Sequence, residues 1–240
     1  MPTKIEWTDE TWNPITGCTP ISEGCENCYC IRMFGRNLWD YDSTPGTFHE
    51  SRLYKPIDWE KPIRIFVCSM SDLFHEAVNI RGVEIRSIFR VMSMCDHTFM
   101  LLTKRPERMA DCIDNLYGKD FAEEMPNVWL GVTAENQMRA DERIPILMQI
   151  PAKVRFVSVE PMLRPVNARN YLPAIVGHER FHHDHSDLDW VIAGPETGPG
   201  KRECKPEWID SLHRQCQDAG VPFFDKSKRD WRAREFPEEA

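Results

Sequence analysis

From residue 60 onward the chain keeps changing its hydrophobic period, and this rhythm limits its fold more than any other feature. Short unbroken apolar runs alternate with stretches whose apolar residues recur every three or four positions. Ile63–Cys68 (IRIFVC) reads as a buried strand and Val83–Cys95 as an amphipathic helix. Strand Thr98–Thr103 and helix Glu107–Tyr117 follow, then strand Asn127–Val132 and helix Asn136–Gln149. Val154–Val159 and Asp189–Ala193 read as two further strands around a proline-punctuated segment. Pro206–Ala219 reads as a helix that begins on proline, where a missing N–H does no harm, and ends on Gly220. Val221–Phe224 is the last predicted strand. Strands separated by helices pair in parallel through right-handed crossovers. Apolar strands without alternation suit a sheet covered on both faces. With a strand near the cysteine loop included, about six βα units are predicted, too few for a closed eight-stranded barrel and enough for a partial (β/α)6 TIM-like barrel. A doubly wound open sheet is the alternative. No linker-like segment or repeat divides the chain, so one domain over residues 1–240 is expected: a cysteine loop at 7–30, the partial barrel at 60–225 and a tail at 226–240.

Every predicted strand runs out into polar residues. The first gives Ser69, Met70, Ser71 and Asp72, the second Thr103, Lys104 and Arg105, and the third Thr133, Ala134, Glu135 and Asn136. The fourth gives Glu160 and the fifth Gly194, Pro195, Glu196, Thr197 and Gly198, with Lys201 and Arg202 just beyond. One such ending would be explained as a helix N-cap. Five of them, carrying glutamate, lysine and arginine, point instead to the ligand-binding edge of a parallel α/β fold.

The chain has nine cysteines, an odd number that speaks against a disulfide framework. Cys68, Cys95, Cys112, Cys204 and Cys216 are scattered through apolar or helical stretches, as small buried hydrophobes are. Cys18, Cys25, Cys28 and Cys30 are clustered in GCTPISEGCENCYC, a C-x6-C-x2-C pattern with one extra thiol. Gly17, Pro20 and Gly24 make this a loop. Three metal readings stand: a closed zinc site of four thiolates, a four-thiolate electron-transfer cluster, and a three-thiolate cluster with one iron left open. Reduced thiols without metal are the plain alternative. Trp7 and Trp12 stand ready to screen the loop from water. The four histidines between His178 and His185 read as a polar insertion rather than a metal site, because nothing fixes ligand geometry.

The net charge of −8 excludes a chain that coats nucleic acid through phosphate contacts. A local basic lip remains open to it, from Lys104-Arg105, Lys201-Arg202 or the run Lys226, Lys228, Arg229, Arg232 and Arg234. No apolar run reaches membrane-spanning length and the N-terminus lacks a secretory pattern, so a cytoplasmic location without membrane partners is expected.

The segments KIEWTDETWNPITGC, CENCY, FVCSMSDLF, LLTKRPER, WLGVTAEN, FVSVEPML and VIAGPETGPGKR, in this order over nearly the whole chain, resemble one family. It is a phage- and prophage-associated group of small proteins, long described without a function and now regarded as radical S-adenosylmethionine proteins with a divergent cysteine spacing. Two features depart from it: Gly194-Pro195-Glu196-Thr197-Gly198 replaces a Gly-Gly-Glu-Ser-Gly turn, and Phe223–Arg234 lacks a Lys-Gln-Trp-Gly run.

The resemblance implies a radical S-adenosylmethionine barrel in which Cys18, Cys25 and Cys28 hold a [4Fe–4S] cluster. S-adenosylmethionine is the implied second cofactor, and a flavodoxin or ferredoxin the implied reductant. Tyr29 is then expected at the adenine, Ser69, Ser71 and Asp72 at the methionine amine or ribose, and Glu160 at ribose hydroxyls. Lys104, Arg105, Lys201 and Arg202 are expected to meet an anionic substrate group, and Glu135, Asn136 and Glu196 to orient a polar one. The implied substrate is a nucleotide or a flipped or single-stranded DNA base, modified or isomerised at the C5 side group of a hypermodified thymidine, in the host cytoplasm. Repair of damaged pyrimidines and a zinc-stabilised binding module are the alternatives.

Overall fold

The computed structural model describes residues 5–34, 44–176, 179–181, 187–227 and 234–237. The His178–His185 segment, apart from residues 179–181, and Lys228, Arg229 and Arg232 of the basic run lie outside the described residues. Two compact units make up the chain, Met1–Leu130 with Ile150–Lys153, and Gly131–Gln149 with Val154–Ala240.

In the first unit, β1 (Glu10–Trp12) leads through the cysteine loop to the short helix α1 (Tyr29–Phe34) and, after several turns, to β2 (Arg64–Val67). Helix α2 (Val83–Ser93) returns to β3 (Thr98–Thr103), and α3 (Pro106–Leu116) with the short α4 (Phe121–Glu124) leads into β4 (Val128–Thr133). The strands lie in the order β1-β2-β3-β4. Trp12 pairs in parallel with Val67, and Val67 with Leu101. Helix α2 turns Ile85, Ile88, Phe89, Val91 and Met92 inward, the 3.6-residue stripe the sequence displays. Both tryptophans before the loop are core residues. Trp7 packs on Phe66 at 4.7 Å and Trp12 on Phe99 at 5.8 Å between ring centroids, so they brace the sheet.

In the second unit β4 continues, and α5 (Gln137–Leu147), β5 (Arg155–Val159), β6 (Trp190–Ala193), α6 (Pro206–Ala219) and β7 (Phe223–Asp225) follow. The order is β4-β5-β6-β7, with Val157 opposite Val191 and Val191 opposite Phe223, all parallel. Every residue of β4, β5, β6 and β7 is buried, which explains why their sequences are mainly apolar without alternation. Among the described residues no α-helix joins β5 to β6; a 3-10 turn at Arg169–Tyr171 and a small ribbon, Ala174–Val176 with Glu179–Phe181, stand there instead. Gly220 closes α6 in the left-handed conformation, φ 63°.

The fold is therefore of the expected α/β class with parallel strands. The ends of α5 and the last turn of α2 shift inward by one or two residues from the periodic reading, and at the start of α5 the reason is that Asn136 acts as a cap and is not part of the helix. No helix among the described residues is long and apolar enough to cross a membrane.

Gly131 lies in the middle of β4, and a Cβ there would stand 2.4 Å from the Phe156 ring. Gly131→Ala should therefore lower the unfolding free energy by about 1–3 kcal/mol, the usual effect of overpacking, in a urea titration.

Candidate functional site

The cysteine loop is tied to the end of β2 by a short ladder of polar contacts. Asn13 Oδ1 accepts from the backbone N–H of Met70 at 2.9 Å and from the Ser69 hydroxyl at 3.2 Å. The Ser71 hydroxyl donates to the Ile15 carbonyl at 2.8 Å, and Gly17 bridges to Ser71. Gly17 has φ 82° and would set a Cβ 2.1 Å from the Thr44 carbonyl oxygen, so only glycine fits. Cys68, directly after β2, also adopts the left-handed conformation, φ 58°, and donates its N–H to the Trp12 carbonyl at 2.8 Å. A buried non-glycine residue held there marks backbone that its surroundings over-determine.

Below this ladder lies a buried charge pair. The Asp72 carboxylate accepts from the Thr103 hydroxyl at 2.7 Å, from the N–H groups of Phe74 and Lys104 at 3.0 and 3.2 Å, and from the Arg105 guanidinium at 3.1 Å. The other edge of Arg105 holds Glu76 at 2.8 and 2.9 Å and reaches the Thr19 carbonyl at 3.4 Å. The Thr19 hydroxyl in turn meets His75 Nε2 at 2.7 Å. The His75 Nδ1 accepts from the Ala77 N–H, so in the neutral ring the proton sits on Nε2 and is donated to Thr19. Burial and the neighbouring Arg105 cation both hold the His75 pKa low, which favours that neutral ring. The Asp72 and Arg105 side chains are 7% and 4% exposed. Arg105 thus has its charge committed to two carboxylates in the loop support.

The four loop thiols differ sharply. Cys18, Cys25 and Cys28 are half-buried, whereas Cys30 is buried and donates to the Met70 carbonyl at 3.0 Å. Burial pushes the Cys18 thiol up to about 11, and the nearby Asp72, Cys25 and Cys28 push the same way against Arg105. For Cys25, burial is outweighed by the Lys104 ammonium and by hydrogen bonds from Ile21 and Ser22, and its pKa falls. Burial holds the Cys30 thiol well above the ordinary range. Among the described residues, no group of three His, Cys, Asp or Glu side chains is arranged to hold a metal ion. The donor set nevertheless has the chemistry of a three-thiolate site: three half-buried cysteines on one loop, and a fourth that is buried against the Met70 carbonyl.

The remaining predicted residues separate into supports and exposed groups. The Tyr29 hydroxyl donates to the Ser69 carbonyl, and its side chain stays half exposed. In the second unit Glu135 is fully buried and pairs with Arg143 at 3.0 Å, while Asn136 caps α5 by accepting from the Arg139 N–H at 3.0 Å. Glu196 accepts from the Arg202 N–H and Nε at 2.8 and 2.9 Å, closing the loop between them, with Lys201 exposed beside it. Glu160 pairs with Lys226 at 2.5 Å. His75, Glu76, Thr19 and Arg143 were not legible as site residues; the first three act through partners 29 to 86 residues away, and Arg143 through Glu135 eight residues before it, which no local pattern announces.

A family model described as "Protein of unknown function (DUF5131)" matches residues 2–239. The chain belongs to this family. No curated protein matches this member of DUF5131 in sequence. Among solved structures it is similar to "Spore photoproduct lyase complexed with dinucleoside spore photoproduct", with 11% identity over 88% of this chain and 74% of that one and a TM-score of 0.52. That likeness shows the fold, the TIM-like partial barrel expected from the rhythm of strands and helices.

Removing Asp72 from this DUF5131 chain leaves Arg105 buried with only the more exposed Glu76. Asp72→Ala should cost about 3 kcal/mol in urea unfolding, the lower end for breaking a buried pair. The Arg105 hydrogen bond holds the Glu76 carboxyl below its ordinary value of 4.5. Its contribution to stability is thus present above pH 4.5 and lost as pH falls through the depressed native value. Glu76→Gln should flatten that part of a stability–pH curve.

Proposed function

We propose that this protein is a radical S-adenosylmethionine enzyme. Cys18, Cys25 and Cys28 would hold a [4Fe–4S] cluster on a loop braced by the Asp72–Arg105 pair. The observation that carries this reading is the unequal burial of the four loop cysteines, with Cys18, Cys25 and Cys28 half-buried and Cys30 buried against the Met70 carbonyl. An iron with no protein thiolate is what a chelating substrate or cofactor needs. A bound cluster would supply one-electron reduction of the sulfonium of S-adenosylmethionine, with methionine as the leaving group, so the hard chemistry would belong to the cofactors.

The chain's own residues then bind and orient. Lys104, which lowers the Cys25 pKa, offers an ammonium to an anionic group beside the loop. Arg105 acts as a positioning residue through Asp72, Glu76 and Thr19. Tyr29 offers a half-exposed ring for stacking. Lys201 and Arg202 offer cations at a strand end in the second unit.

The substrate is a nucleotide or an accessible DNA base, altered at the C5 side group of a thymidine derivative, with a flavodoxin or ferredoxin as reductant in the cytoplasm. A second reading is favoured by the solved relative, named as a lyase in complex with a dinucleoside photoproduct: repair of a damaged pyrimidine. Turnover on ultraviolet-irradiated DNA that lacks any hypermodified base separates the two.

Anaerobic reconstitution should give a brown chain with about four iron atoms, and alanine at Cys18, Cys25 or Cys28 should each abolish the colour. Cys30→Ala should keep it, and reduction with S-adenosylmethionine should release 5′-deoxyadenosine. Equal loss of iron in Cys30→Ala would assign a four-thiolate site, and a colourless zinc protein would reject the proposal.

A further inference from the structure

Between α5 and α6 the second unit carries a groove of about 500 Å³. One wall is the chain that links β5 to β6, and both helices pin it. Gln137 Oε1, at the start of α5, accepts the Asn167 N–H at 2.6 Å, and Gln215 Oε1, in α6, accepts the Ala168 N–H at 2.7 Å. Gln215 is only 6% exposed, and its amide nitrogen also reaches the Val166 carbonyl at 3.4 Å. The other wall is α6 itself, through Ser211, Arg214, Gln215 and Asp218. Their i, i+3, i+4 and i+7 spacing puts them on one side of the helix. Ile209, Leu212, Cys216 and Ala219 supply the apolar side that is buried.

The lining is rich in donors. Arg214 is exposed and has no ion pair among the described residues, where the Ser211 hydroxyl likewise has no hydrogen bond. The Asn167 carboxamide spends its oxygen on the Arg169 N–H at 3.2 Å and keeps its own N–H groups. Arg169 gives one guanidinium nitrogen to Asp218 at 2.9 Å. The two side chains of that pair are 58% and 60% exposed, so little free energy holds it closed. Two arginines thus face one aspartate, in a chain whose net charge is −8. Such a lining suits a ligand that only accepts and carries several acceptor oxygens. A phosphate monoester meets that description, since guanidinium forks match its oxygens and hydroxyl and amide donors take the remainder. The volume is that of a metabolite site. The aspartate and the acidic chain count against an extended nucleic-acid backbone as the occupant.

We propose that this groove binds a small phosphate monoester, with Arg214 and Arg169 as its charge partners and Ser211 and Asn167 as its neutral donors. Asp218 sets the affinity, because it pairs with Arg169 and repels the entering dianion. Binding there requires neither the cluster nor S-adenosylmethionine.

The test is an NMR titration of the isotope-labelled full-length chain with inorganic phosphate, glucose 6-phosphate and glucose, followed at the amide signals of Asn167, Ala168 and Gln215. Both phosphates should shift these signals to saturation, and glucose should leave them in place. Arg214→Gln should weaken both phosphates by about tenfold, as for loss of a hydrogen bond to a charged group. Asp218→Asn should tighten both severalfold, a gain that a purely structural role for the Arg169–Asp218 pair does not give. Raising the ionic strength should weaken binding in every variant. Signals that ignore both phosphates, or that respond equally in wild type and Arg214→Gln, would overturn the proposal. A response to inorganic phosphate alone would overturn the monoester assignment. An Arg214-dependent response to a DNA duplex, without one to glucose 6-phosphate, would give the groove to a nucleic-acid backbone instead.

Discussion

The buried pair of Asp72 and Arg105 is the interaction on which the candidate site depends. It joins the end of β2 to the end of β3 and reaches the cysteine loop through Thr19. Two charges out of water gain little over a well-packed apolar pair, so stability alone is a weak account of it. Its geometry suits another task. A carboxylate with four donors and a guanidinium with three partners leave each other one arrangement, and the loop that carries Cys18 inherits it. The bracing is needed because the loop itself is irregular, with one short antiparallel pairing of Ile15–Thr16 with Thr47–Phe48 as its regular support.

Much of the fold was legible because the strands are buried on both faces. In such strands the apolar run and the strand nearly coincide, as Thr98–Thr103 does. Helix α6 was equally plain, since Pro206 and Gly220 mark its two ends chemically. The link between β5 and β6 was not, because proline and polar residues there give no period to read.

The site was legible in its residue types and much less in their division of labour. Lys104 and Arg105 look alike as strand-end cations, yet Lys104 is half-buried near Cys25 while Arg105 is buried under two acids. The difference arises because β2 and β3 are sheet neighbours, which brings Asp72 to Arg105 across 33 residues. In the same way Glu160 and Lys226 lie 66 residues apart and meet only through the pairing of β5, β6 and β7. Ion pairs of this kind are properties of strand order, and a single sequence carries no local mark of them.

The contact of Arg105 with Thr19 spans 86 residues. A chain leaving the ribosome therefore exposes Cys18, Cys25 and Cys28 well before the segment that steadies their loop has been made. During that interval the thiols stand on an unconfined tether, open to oxidation and to stray metal ions. The loop therefore gains its support only once β3 has paired with β2.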